Sequence, residues 1–167
     1  MHQILPRLLA PLAVVALAAC AGKQHVAPPT DSPTAATVYV SGPMPGGMAV
    51  TKFNLNRKQC YQGLTPVPED AAAPMRIASG ELSFFSAKYD RGGTLCEVIV
   101  SFSPEPQASY ALVPERQGAI LGGGSCAMTV RRVMPGGTSR PEPVEGWVMR
   151  SASVACVRPQ PAAGRNR

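Results

Sequence analysis

The chain has 167 residues, of which 45% are hydrophobic, 16% charged and 5% aromatic, with 16 glycines and 18 prolines. That length suits one domain of ordinary size, and the composition excludes a coiled coil, a repeat solenoid and a wholly disordered chain. The formal net charge is +6, with two histidines and five cysteines.

The N-terminus reads MHQILPRLLAPLAVVALAAC. One positive charge, Arg7, precedes an apolar run from Leu8 to Ala19 that only Pro11 interrupts. A run of about twelve residues is too short for a membrane-spanning helix, which needs roughly twenty, and it fits the apolar region of a secretory signal. The run ends in Leu17-Ala18-Ala19-Cys20, which resembles the lipobox of bacterial lipoproteins. The resemblance implies a signal peptide over residues 1–19, cut by the lipoprotein signal peptidase between Ala19 and Cys20. It also implies a diacylglyceryl group on the Cys20 sulfur and, after cleavage, acylation of the new amine. Chains that contribute ~0.8 kcal/mol per buried methylene make such an anchor stable when there are two or three of them. Ala21 stands where an Asp would resemble an inner-membrane retention signal, so the same resemblance implies the outer membrane, with the protein facing the periplasm. The competing reading is an ordinary signal peptide cut at the same place, with Cys20 incidental.

Residues 20–36 read as the lipidated cysteine and a flexible tether. The stretch from Ala21 to Ala35 holds three prolines and no apolar periodicity, and at ~3 Å per residue it would hold a domain about 40 Å from the bilayer.

From Thr37 to Val157 the pattern changes to short apolar clusters separated by glycine and proline. The clusters are Val38–Val40, Met48–Leu55, Ile77–Tyr89, Leu95–Phe102, Ser109–Val113, Cys126–Val133 and Trp147–Val157. Cys96, Val98, Val100 and Phe102 share one face of their cluster, and Cys126, Met128 and Val130 alternate against Thr129 and Arg131. This is the strand period, and no amphipathic helix is evident. Turn signals lie at Pro45–Gly47, Asp90–Gly93, Gly122–Gly124 and Pro135–Gly137, with Asp90–Gly93 placed to close a hairpin. The expected fold is all-β: residues 37–157 form a single antiparallel β-sandwich, or partly open barrel, of six to eight short strands. The motif MPGG occurs at Met44–Gly47 and Met134–Gly137, but the flanks differ, so two similar turns are expected and not a repeat. Residues 158–167 read as a disordered basic tail.

Setting Cys20 aside leaves Cys60, Cys96, Cys126 and Cys156, an even number that reads as two disulfides in an exported protein. No Cys-x-x-Cys and no neighbouring histidine argue for a metal site, and none is expected. Four cysteines allow three connectivities, among which the residues alone do not choose. The segment from Cys96 to Cys126, with Phe102-Ser103-Pro104 and Tyr110 between, resembles small envelope lipoproteins of proteobacteria. That resemblance implies Cys96–Cys126 with Cys60–Cys156; pairing neighbours, Cys60–Cys96 and Cys126–Cys156, is the alternative.

The histidines are His2, in the signal, and His25, in the tether, so residues 37–157 hold none. Ser-His-Asp, Cys-His and histidine-base chemistry are thereby excluded from the domain, and its carboxylates show no distinguished pair. No catalytic residue and no cofactor is expected, and the chain reads as a non-enzyme. Gly122-Gly123-Gly124-Ser125 lacks the lysine and the helix of a phosphate loop. Trp147, at the start of a cluster, reads as a core residue and not as a sugar-stacking platform. Residues 37–157 carry eleven Lys+Arg against nine Asp+Glu, and Arg158, Arg165 and Arg167 supply much of the remaining charge. Basicity placed in a tail, on an exported chain, gives no support to nucleic-acid binding. The expectation is a lipid-anchored envelope protein with a membrane contact through Cys20 and an envelope-protein or cell-wall partner. It acts as a non-catalytic binding or structural module; the alternative is a periplasmic enzyme inhibitor or chaperone-like accessory.

Overall fold

The apolar alternations form β-strands, and no helix occurs among the described residues, which in this computed structural model are 24–91, 94–118, 124–151 and 154–160. The strands are β1 (Ala35–Val40), β2 (Met48–Leu55), β3 (Tyr61–Pro66), β4 (Met75–Ala78), β5 (Ser83–Arg91) and β6 (Thr94–Phe102). They continue with β7 (Ser109–Gly118), β8 (Gly124–Val133), β9 (Ser139–Pro141), β10 (Glu145–Ser151) and β11 (Val154–Pro159). One sheet has the order β4-β1-β7-β8-β9 and the other β11-β10-β6-β5-β2-β3. The all-β sandwich of the sequence reading is the fold of the chain.

Several details differ from that reading. Eleven strands are present among the described residues, against six to eight expected. The cluster Ile77–Tyr89 divides into β4 and β5 around Gly80, whose φ of 76° a side chain would resist. The cluster Trp147–Val157 divides into the antiparallel pair β10 and β11. β3 (YQGLTP) and β9 (SRP) have no apolar alternation and form because β2 and β8 offer them backbone partners. One pairing, β1 with β7, is parallel, with Val38 opposite Tyr110. β1 begins two residues before the expected domain start, and β11 runs on through Arg158 and Pro159, where the tail was expected. Gln160 N–H then donates to Gly146 O at 2.8 Å, so the sheet takes up the first residues of that segment.

β5 and β6 pair in full register from Ser83↔Phe102 to Arg91↔Thr94, as the Asp90–Gly93 turn signal predicts, although Gly92 and Gly93 lie outside the described residues. The two MPGG segments sit in unrelated settings, as expected. The first precedes β2, with Met48 N–H bonded to Pro45 O, and the second links β8 to β9, with Met134 N–H bonded to Thr138 O.

The main core lies between the sheets and includes Val38, Val40, Val50, Ile77, Phe85, Val100, Phe102, Tyr110, Leu112 and Val130. The face of β6 carrying Cys96, Val98, Val100 and Phe102 packs here, as the alternation predicts. The opposite face of the same sheet is also buried. Phe53, Phe84, Ile99, Trp147 and Val157 form a second core there, flanked by Leu55. The reason is that the six-stranded sheet curls until its edges meet. Cys60 and Cys156 form a bridge between the start of β3 and β11, and Val157 N–H donates to Gln59 O at 2.9 Å. The curl explains why Ser83 to Ala87 in β5 are buried without alternation.

Both disulfides implied by the resemblance are present, Cys60–Cys156 and Cys96–Cys126. Cys60–Cys156 joins the two edges of the curled sheet, and Cys96–Cys126 ties β6 to β8 across the sandwich.

Candidate functional site

β2 changes the face it buries part-way along its length. Met48 and Val50 point into the main core, whereas Phe53 and Leu55 serve the second. Lys52 stands at the changeover, in phase with Met48 and Val50 and opposite Thr65 of β3 and Phe85 of β5. A lysine in an apolar phase of a strand is the sequence signal for this position, and the sequence reading passed over it.

Lys52 lines an open groove of roughly 530 Å³. One wall is the end of β2 and the turn that follows, with Asn54, Leu55 and Arg57. The other wall is the β4–β5 link, with Glu81 and Leu82. Phe53 and Phe84, from the second core, form part of the lining, and His25, Val26 and Ser83 are also among the lining residues. Burial holds the Lys52 ammonium below its ordinary pKa, and the nearby Glu81 carboxylate works in the opposite direction.

His25 occupies the segment read as a free tether, yet it is bonded to both sheets. Its backbone N–H donates to Thr65 Oγ1 of β3 at 3.0 Å, and its ring Nε2 lies 2.6 Å from the carbonyl oxygen of Arg76 in β4. The imidazole donates this bond in its Nε2–H form. Burial holds the His25 pKa below the ordinary histidine value. The bond to Arg76 opposes that shift, and the Lys52 charge adds to it. Further along, Ser79 N–H donates to Thr34 O at 3.0 Å and Gln107 N–H to Ala35 O at 2.8 Å. The segment entering β1 is therefore held along the sandwich.

Glu81 is the one carboxylate among the lining residues of the groove. Its chemistry is that of a half-buried cation, amide side chains and an apolar floor, which suits an anionic group attached to an apolar body. Among the described residues no three of His, Cys, Asp and Glu gather as metal ligands. Trp147 is 5% exposed and donates Nε1–H to Ser101 Oγ at 2.7 Å, so it is a core residue, as expected. Arg131 and Arg132 diverge: Arg131 Nε donates to Ser139 Oγ, and Arg132 pairs with Glu105. Gly124 and Ser125 open the strand β8, where a phosphate loop would open a helix, and Gly122 and Gly123 lie outside the described residues. Ala19, Cys20, the signal over 1–19, and Arg165 and Arg167 of the tail lie outside the described residues.

No family model matches the chain, and neither a curated protein nor a solved structure matches it.

Proposed function

We propose that the chain is a lipid-anchored cell-envelope protein, held in the outer membrane through Cys20 and facing the periplasm. Its sandwich serves there as a non-catalytic binding or structural module for an envelope-protein or cell-wall partner. The observation that carries this reading is the partition of the cysteines. Four of the five are joined in two disulfides, and the fifth, Cys20, ends the apolar run at Leu17-Ala18-Ala19. Disulfides favour an oxidising compartment, which is where a secretory signal would deliver the chain. The folded part offers an open groove lined by amide, cationic and apolar side chains, which supports the binding reading.

Replacing Cys20 tests the anchor. Cys20→Ser is expected to abolish metabolic labelling by radioactive fatty acid and to leave the precursor uncut by the lipoprotein signal peptidase. Normal processing and membrane retention of that variant overturn the reading. Crosslinking in intact cells, followed by capture of the tagged chain, is expected to retrieve an envelope partner.

A further inference from the structure

The held position of His25 shortens the distance from the lipid. If residues 21–35 were free, fifteen residue steps would separate Cys20 from β1; with His25 bonded to Thr65 and Arg76, five remain. At ~3.5 Å per step the five-step link reaches at most about 17 Å. The headgroup layer of a bilayer is itself several ångströms deep, so the surface around His25 has little room to stand off.

That surface has a distinct make-up. Val26, Leu82 and Val144 are among the few large apolar side chains left exposed, at 83%, 42% and 39%. Val26 and Leu82 line the groove with Lys52 and Arg57, and Leu82 also lines an adjoining recess with Val144. The register explains their grouping: Phe53, Phe84, Ser101 and Glu145 lie in one row across β2, β5, β6 and β10. Leu82, Val144 and the Asn56-Arg57 turn all extend from strand ends just beyond that row. Apolar side chains beside long cations, with stems that lie along apolar surface, are what a membrane interface accepts. Glu81 and Glu145 also stand at this end, so the short link and the apolar side chains, more than net charge, set the orientation.

We propose that this groove-bearing end of the sandwich rests on the phospholipid bilayer, with Val26, Leu82 and Val144 in the headgroup layer and Lys52 and Arg57 on lipid phosphodiesters. The inference rests on the lipidation of Cys20. His25 acts as the clasp that holds the domain down, and the opposite end, where Leu95 is exposed, faces away from the membrane.

The test uses the mature lipidated protein in vesicles of phosphatidylethanolamine and phosphatidylglycerol with a small share of headgroup-nitroxide lipid. Single variants Leu82→Cys, Val144→Cys and Leu95→Cys, all at exposed positions, carry the same fluorophore. Labels at 82 and 144 are expected to be quenched at least threefold more than the label at 95. Flotation of the vesicles is scored in the same samples. Protein that floats but shows equal quenching at the three sites overturns the docking and leaves the anchor standing. Protein that fails to float overturns the anchor and this proposal with it. Adding His25→Ala is expected to bring the three labels towards equal quenching, and an unchanged contrast overturns the clasp.

Discussion

Trp147 combines two requirements in one side chain. Its ring fills the curl of the six-stranded sheet against Phe84, edge to face with centroids 4.9 Å apart, and its N–H meets the Ser101 hydroxyl, which is fully buried. A phenylalanine keeps much of the apolar contact but offers no donor, so the buried hydroxyl loses a partner. Trp147→Phe is expected to destabilise the fold by about 1–3 kcal/mol, read from the midpoint of urea unfolding by circular dichroism. The double variant with Ser101→Ala is expected to recover part of that loss, because it removes the orphaned hydroxyl. Lys52 is the complementary case. Its ammonium lies at the edge of two cores, and it is tolerated because the groove opens beside it and Glu81 stands near.

At the scale of the element, the two disulfides do different work. Cys60–Cys156 spans 96 residues and joins the edges of one sheet, whereas Cys96–Cys126 spans 30 and joins two sheets. If loop closure in the unfolded chain dominates, the longer span contributes about 1 kcal/mol more, from a total of roughly 4–5 kcal/mol each. The paired replacement Cys60→Ala/Cys156→Ala is therefore expected to lower stability more than Cys96→Ala/Cys126→Ala. Denaturant titration of both under non-reducing conditions checks the order. The first variant is also expected to show faster amide exchange in β3 and β11 than in β5 and β6, since it frees the two edges and leaves the sheet centre paired. Uniform acceleration across the six strands would count against the role given to this bridge. β5 is buried on both faces over its first five residues. Phe84 lies in one core and Phe85 in the other, so a charge at either position would be buried.

For the whole molecule, the N-terminal segment is expected to be held in a pH-dependent way through His25. Burial lowers the His25 pKa in the docked state, so the released segment binds a proton more readily than the docked one. What His25 contributes to docking is then fully present above about pH 6.5, the ordinary histidine value, and is lost as pH falls from there towards the lower value of the docked state. The Lys52 charge adds to this effect, and the bond to Arg76 works against it. Amide resonances of Thr65 and Arg76, followed from about pH 8 to about pH 5, are expected to move together towards those of a His25→Ala variant. Chemical shifts that stay in place as the imidazole titrates would dissociate the clasp from its protonation.

Much of this molecule was readable in the residues themselves. The apolar clusters at Val38, Met48, Leu95 and Cys126, and the glycine-bearing turns between them, set the strand class, because alternation and positive φ are local properties. The cysteine count set the number of bridges for a similar reason, since parity needs no geometry. The sequence alone also placed Cys20 at the end of its apolar run. Tertiary structure decided what local pattern cannot carry. Whether the reverse face of β6 meets solvent or a second core depends on the edges of a sheet meeting about 100 residues apart along the chain, at Cys60 and Cys156. β3 and β9 exist because a neighbour's backbone pairs with them, and no periodicity of their own announces it. The same is true of His25, whose partners Thr65 and Arg76 lie 40 and 51 residues away. Composition marks its segment as a tether, and only the crevice formed by two folded sheets turns it into a clasp.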